Sequence, residues 1–250
     1  MVLDDASLDF YQQITGQPVA LGEYFDRSYL NSVDQRSTTA HLDPKLMRGY
    51  LMRRQSNFAD VNLIGRLTQT ANALGSGATA VFSRDFTFRQ LKSGNVILLG
   101  SSQSNPWIQP FEAQLAVRWK MDPVSAIYYP LDATLSGVDP ERYRPEANTT
   151  KPREGYASIA FLSNLGGNGN VLILSGTGGT AVAAALEFLL DENARRDIRS
   201  RLAATRSDTF PSFEALLEVD KGVNMPRNVL ILMCRHPEQV TPHTARELDR

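Results

Sequence analysis

Three stretches constrain the fold more than anything else in this chain: Asn95-Val96-Ile97-Leu98-Leu99, Asn170-Val171-Leu172-Ile173-Leu174 and Asn228-Val229-Leu230-Ile231-Leu232. Each is a continuous apolar run bounded by turn-forming residues. A strand with one face in water alternates apolar and polar side chains, so an unbroken run predicts a strand covered on both faces. The flanks differ and the spacings are unequal, so this is no sequence repeat. The runs predict three central strands of a buried sheet. With 250 residues the chain can bury such a sheet under helices without disulfides or a metal.

The surrounding segments make the sheet mixed. Residues 156–162 join 170–175 through Gly166-Gly167-Asn168-Gly169, where the Asn-Gly step suits a hairpin turn needing positive φ. Phe213, Ala215, Leu217 and Val219 alternate with Glu214, Leu216 and Glu218, predicting a more exposed strand that pairs antiparallel with 228–234 across 221–224. Residues 117–121 and 126–129 flank Asp122-Pro123 as a third hairpin, a short strand covers 79–83, and 136–155 reads as a loop. Two helices precede these strands. Asp43-Pro44 opens the first, with Leu46, Tyr50 and Leu51 on its apolar side. The second covers about 59–74, carries Val61, Ile64, Thr68 and Ala71 as a stripe flanked by Leu63 and Leu67, and ends at Gly75-Ser76-Gly77. The predicted class is α/β, a three-layer sandwich around a mixed, mostly buried sheet.

Composition narrows the partners. Hydrophobic residues at 42% and charged residues at 21% are those of a globular chain rather than a disordered one. Lys plus Arg is 26 against Asp plus Glu 27, so no global field draws it to nucleic acid or an anionic membrane. No apolar run nears the roughly 20 residues of a membrane helix, and MVLDDASLDF lacks the basic and apolar regions of a secretory signal. The single cysteine, Cys234, lies in an apolar run, which predicts an inert core thiol and fits a reducing, cytoplasmic compartment. Residues 1–34 hold Asp4, Asp5, Asp9, Glu23, Asp26 and Asp34 against Arg27 alone. They also carry Phe10, Tyr11, Tyr24, Phe25 and Tyr29, too aromatic a set for a solvated tail. The expected division is an acidic aromatic arm over 1–40, an α/β domain over 41–236 and a tail over 237–250.

Two strand–loop–helix corners carry the case for a site. The first is Gly100, Ser101, Ser102, Gln103, Ser104 and Asn105, with Asn105 as N-cap and Pro106 as first residue of a helix bearing Ile108, Phe111 and Leu115. Pro110 is awkward inside that helix. The second is Ser175, Gly176, Thr177, Gly178, Gly179 and Thr180, before a helix with Val182, Ala185, Leu186 and Leu189 on one face. A helix N-terminus presents unpaired N–H groups and the positive end of its dipole, and glycine lets a ligand approach the backbone. Such corners suit phosphate, carboxylate or sugar hydroxyls. In open α/β sheets ligands collect at the carboxyl ends of the strands, so the two corners predict one crevice. The competing reading is that the glycines and serines only make tight turns.

No catalytic pattern accompanies them. Gly176-x-Gly178-x-x-Ala181 matches the dinucleotide fingerprint, but the acid at the expected distance, Asp197, lies in the charged, helical segment 191–201. No phosphate-loop or nucleophile-elbow motif occurs. His41, His236 and His243 lack metal-ligand spacing. Arg195, Arg196, Arg199, Arg201 and Arg206 are interleaved with Asp191, Glu192 and Asp197, which predicts a salt-bridged solvent face rather than a nucleic-acid stripe. No cofactor, metal or catalytic residue is expected; Asp85 and Asp132 are the only acids near strand ends that an enzyme reading could use.

The runs LKSGNVILLGSSQSNPWIQPFEAQL, NVLILSGTGGTAVAAALEFLLDE and FEALLEVDKGVNMPRNVLILMCR resemble an uncharacterised bacterial α/β domain of hypothetical proteins and of the C-terminal parts of winged-helix regulators. The likeness covers roughly residues 59–236 and lies in the order and character of segments, with no catalytic motif to carry over. It implies a regulatory or sensing role, with the DNA-binding module outside this sequence. The function expected is therefore non-catalytic binding of a small anionic or polar ligand, without direct nucleic-acid or membrane contact. The alternatives are a nucleotide- or sugar-handling transferase or hydrolase, and a protein-interaction module or homo-oligomer using the arm.

Overall fold

In the computed structural model, the described residues are 1–56, 58–122, 125–132, 139, 141–145, 154–203, 210–220 and 228–237. The strands are β1 (Val2–Leu3), β2 (Val81–Phe82), β3 (Val96–Leu99), β4 (Val117–Asp122), β5 (Ile127–Asp132), β6 (Glu154–Ser163), β7 (Asn170–Gly176), β8 (Phe213–Asp220) and β9 (Val229–Arg235). The helices are α1 (Ala6–Thr15), α2 (Leu21–Asp26), α3 (Val33–Thr39), α4 (Pro44–Leu51), α5 (Phe58–Ala73), α6 (Phe88–Leu91), α7 (Gly179–Leu190) and α8 (Glu192–Arg201). The fold is α/β. Seven strands form a mixed sheet in the order β2-β1-β3-β7-β6-β8-β9, and β4 and β5 form a separate pair. The chain divides into two compact units, 1–90 with 98–109, and 91–97 with 110–250. No boundary falls at residue 40.

The first unit is built around its own N-terminus. Val2 aligns with Val81 on one side and Leu98 on the other, both parallel, so β1 stands between β2 and β3. Residues 1–40, expected as an arm, supply much of this unit's core. Leu8, Tyr11, Val19, Tyr24, Tyr29 and Val33 are buried with Met47 and Leu51. The acids do not keep this stretch in solvent: Asp4 and Asp5 are themselves buried. Asp5 caps α1 by accepting the Leu8 N–H at 3.2 Å, and Gly16 ends the helix in the left-handed region.

Two helix faces differ from expectation. In α4, Asp43 caps and Leu51 faces inward as predicted, but Met47 is buried with it and Leu46 is 73% exposed. In α5, Leu63 and Leu67 are buried and Val61 is exposed. Both helices carry adjacent apolar stripes, and helical period alone does not choose between them. Gly75, at φ 71°, ends α5 where expected.

In the second unit the expected hairpins form. β6 pairs antiparallel with β7, β8 with β9, and β4 with β5. Within the β6–β7 turn the positive φ belongs to Gly167 rather than the Asn168-Gly169 step. Asn164 organises this turn: its Oδ1 accepts the N–H groups of Gly166 and Asn168, and its Nδ2 donates to Gly94 O at 2.9 Å. β8 lies between β6 and β9, so it is nearly all buried, and Glu214 with it. β9, expected to be central, ends the strand order and leaves Leu230 exposed. In β9 only Ile231 is buried, so an apolar run by itself fixes neither full cover nor position in a sheet. The 221–224 connection and His243 lie outside the described residues, as does all of the 237–250 tail but residue 237.

Helix α7 buries Ala181, Val182, Ala184, Ala185 and Leu186, small enough for close packing. On α8, Arg196 pairs with Glu192 at 2.7 Å and Arg201 with Asp197 at 3.2 Å, the salt-bridged face the charge pattern predicts. Cys234 is half-buried rather than fully enclosed, and burial pushes its thiol up to about 11, so it stays protonated and unreactive near neutral pH.

Candidate functional site

The strongest site geometry lies in the first unit, at the carboxyl ends of β1, β2 and β3. The chain lays down β1, crosses to one side of it for β2, then returns to the other side for β3. That reversal marks the β1–β3 boundary, the usual position of a ligand crevice in a parallel sheet, and here the loops after β1 and β3 touch, Asp5 N–H donating to Ser104 O at 2.7 Å. Asp4 and Asp5 follow β1, Ser83, Arg84 and Asp85 follow β2, and Gly100 to Asn105 follow β3.

Asp5 is fixed on every side. Its Oδ1 accepts from Arg84 Nη2 at 2.9 Å, and its Oδ2 from Arg84 Nε at 2.5 Å and the Tyr24 hydroxyl at 3.0 Å. Tyr24 also bonds Ser83 Oγ at 2.7 Å, and Trp107 Nε1 donates to Ser83 O at 2.8 Å. Burial and the Asp5 charge hold the Tyr24 hydroxyl far above its ordinary pKa, so it remains a donor. This group locks the strand ends together and leaves Asp5 no capacity for chemistry.

The first predicted corner is an ordered loop. Ser101 N–H donates to Ser104 Oγ at 3.1 Å, Asn105 N–H to Ser101 O at 2.7 Å, and Asp5 N–H to Ser104 O at 2.7 Å. Gly100 has φ 99°, and a Cβ there would collide with Ser104 Oγ, so glycine is required. Ser101, Ser102 and Gln103 are partly exposed, whereas Ser104 and Asn105 are buried. Asn105 does not act as the predicted cap. Its Nδ2 donates to Leu99 O at 3.0 Å and Val2 O at 3.4 Å, bridging the ends of β3 and β1. The following segment, Pro106–Gln114, is a 3₁₀ helix with Pro110 inside it, a tighter turn that accommodates the proline better than the predicted α-helix.

The second corner belongs to the second unit. Thr177 N–H donates to Tyr156 O at 2.9 Å and its Oγ1 accepts the Tyr156 N–H at 3.2 Å, so Thr177 prolongs the β6–β7 ladder. Ser175 is buried within β7. Gly176 sits where a Cβ would lie 3.0 Å from Val182 Cγ2 and 3.1 Å from Tyr156 O, so it permits the approach of α7. Gly178 caps α7 with extended backbone at φ 167°, and nothing lies within 4 Å of where its Cβ would be. Gly178 therefore needs no glycine-only backbone angle. Gly178 and Thr180 are exposed and Gly179 partly so. Gly178→Val should fold at a cost of about 1 kcal/mol, the usual penalty for an apolar residue at a helix N-cap. Urea denaturation checks this; a larger loss would show that the glycine is structural.

Asp85 and Asp132, the acids an enzyme reading could use, are both ion-paired. Asp85 binds Arg54 through two hydrogen bonds at 2.5 and 3.0 Å, and Asp132 binds Arg235 Nη2 at 3.0 Å. His236 places its two ring nitrogens 3.2 Å from Ser212 O and Leu202 O, a structural bridge. Among the described residues no group of His, Cys, Asp and Glu could hold a metal ion, and no helix is long and apolar enough to cross a membrane. The residues missed in the sequence are Asp4, Ser56 and Arg84. Ser56 Oγ donates to Asp4 Oδ1 at 2.9 Å. The signal for Asp4 was a β-type Val2-Leu3 step before an acid pair, too short to stand out. No protein-family model matches this chain, and neither a curated protein nor a solved structure is significantly similar to it.

Proposed function

We propose that this chain is a non-catalytic small-molecule-binding domain, with its ligand at the carboxyl ends of β1 and β3 in the first unit. The observation that carries the reading is the reversal of strand order across β1 beside the Gly100–Asn105 loop. Such a reversal is the general location of ligands in open parallel sheets, and this loop is glycine- and serine-rich. The pairing of Asp85 with Arg54 and of Asp132 with Arg235 supports a binding role over a hydrolytic one. The sensing role in a larger regulator follows from the segment resemblance alone.

Thermal-shift screening of the whole chain against sugars, amines, nucleotides, phosphates and carboxylates tests it. A compound at 100-fold its dissociation constant adds about 2.7 kcal/mol to the folded state, a shift of several degrees. Indifference to every class in the library would remove the proposal. Turnover of any compound in that library would replace binding with catalysis.

A further inference from the structure

β9 has the composition of a strand from the middle of a sheet and stands at its end. Among the described residues β8 is its one strand neighbour, so the outward backbone groups of Val229 to Cys234 have no ladder there to join. Proteins blunt an open edge with lysine, proline or a bulge, because it otherwise templates the addition of another strand. Residues 229–234 contain no charge and no proline, and a bulge at Leu232 is the one such feature. Leu230 is 57% exposed, and Leu232, Met233 and Cys234 keep part of their surface in solvent.

The layers around β9 restrict what can sit beside it. Cys234 lies on the α8 side, where Arg201 and Asp197 act on its thiol. Arg235 turns to the opposite side and bonds Asp132 of β5. A strand added to this edge therefore meets a helix layer over one face and the β4–β5 pair over the other. A strand of alternating apolar and polar side chains would bury its polar set against one of those layers. The added strand must be apolar on both faces, and β9 is itself such a strand.

Charge then selects the direction of pairing. Arg235 is the only charged residue from 229 to 235. In an in-register parallel pair of two copies the two Arg235 side chains would stand opposite each other, which is destabilising. An antiparallel pair across a two-fold axis sets each Arg235 toward the apolar Val229 end of the other strand. We propose that this chain forms a two-fold homodimer in which β9 of each copy pairs antiparallel with β9 of the other. The contact uses the same surface on both copies, so it consumes both open edges and closes at two. The Asn228 run then occupies the central position that its composition suits, and Leu230 and Leu232 gain cover from the matching run of the second copy.

Sedimentation of the full chain between about 1 and 100 μM should show a monomer–dimer equilibrium without larger species. Leu230→Lys combined with Leu232→Lys brings four ammonium groups beside the two-fold axis and should weaken the dimer at least about tenfold. A folded double variant that dimerises like the parent overturns the proposal. Hydrogen exchange on the parent locates the contact even if that variant does not fold. Amides within 229–234 should exchange more slowly as concentration rises through the dimer range, while those of α1 and α4 keep their rates. A monomer at every concentration, a polydisperse aggregate, or a dimer whose β9 amides keep their monomer rates each overturns it.

Discussion

Asp5→Ala is expected to cost about 3–5 kcal/mol of folding stability, enough to unfold a large fraction of an ordinary domain. The carboxylate is completely buried and the Arg84 side chain 10% exposed, so solvent cannot take over the lost partner. Alanine would leave a guanidinium enclosed against Tyr24 and Ser83, and it would uncap α1 at the same time. Equilibrium urea denaturation measures the loss directly. The exposed pair Arg54–Asp85 is the control: breaking it with Asp85→Ala should cost under about 1 kcal/mol, because water screens it. A small loss for Asp5→Ala would mean that the first unit is not held together at its strand ends.

Glu214→Leu is the second large effect. The two oxygens of Glu214 accept the N–H groups of Ala116 and Val117 at 2.8 and 2.9 Å, and Arg235 Nε lies 3.7 Å away. Leucine fills the space and satisfies neither N–H. Each buried donor left unmet costs about 1–3 kcal/mol, so the pair costs about 2–6 kcal/mol. Glu214→Gln keeps one acceptor and should lose about half as much. The two variants differ in pH dependence from the parent as well as in stability. Burial pushes the Glu214 carboxyl above its ordinary pKa, against the opposing pull of the two N–H donors and the charges of Arg235 and Arg118. The folded chain therefore binds this proton more tightly than the unfolded chain. Its contribution to stability grows as pH falls through the folded value toward the usual carboxylate range, and Glu214→Gln should remove that growth. Urea midpoints between pH 7 and pH 4 measure it; identical slopes for parent and Gln variant would contradict the assignment.

The strand framework was legible in sequence because its signal is local. The Asn95, Asn170 and Asn228 runs and the hairpins around 164–169 and 122–127 are each complete within a few residues. What resisted was everything decided at a distance. Val2–Leu3 is two residues long, has no period to detect, and becomes a strand only because Val81 and Leu98 come to lie beside it. Glu214 sits in an alternating pattern that implied exposure, yet two backbone N–H groups from residues 116 and 117 make its burial tolerable. Asn105 before Pro106 has the form of a helix cap, and its side chain turns back to strand carbonyls instead. The glycine corners were visible, but their separate uses were not. Gly100 meets an angle and a close contact, Gly176 admits α7, and Gly178 stands in open space. Composition describes all three alike; only the neighbours distinguish them.

The central place of β1 also sets a schedule for synthesis. Val2–Leu3 leaves the ribosome well ahead of one of its partners, Leu98, which is added almost a hundred positions later. At 5–20 residues per second that is a wait on the order of ten seconds. During it Leu8, Tyr11 and Tyr24 have helices to gather in but no completed sheet to cover. The nascent chain thus presents apolar surface early and hides it late, and slowing translation before residue 98 would lengthen its exposure to chaperones and proteases.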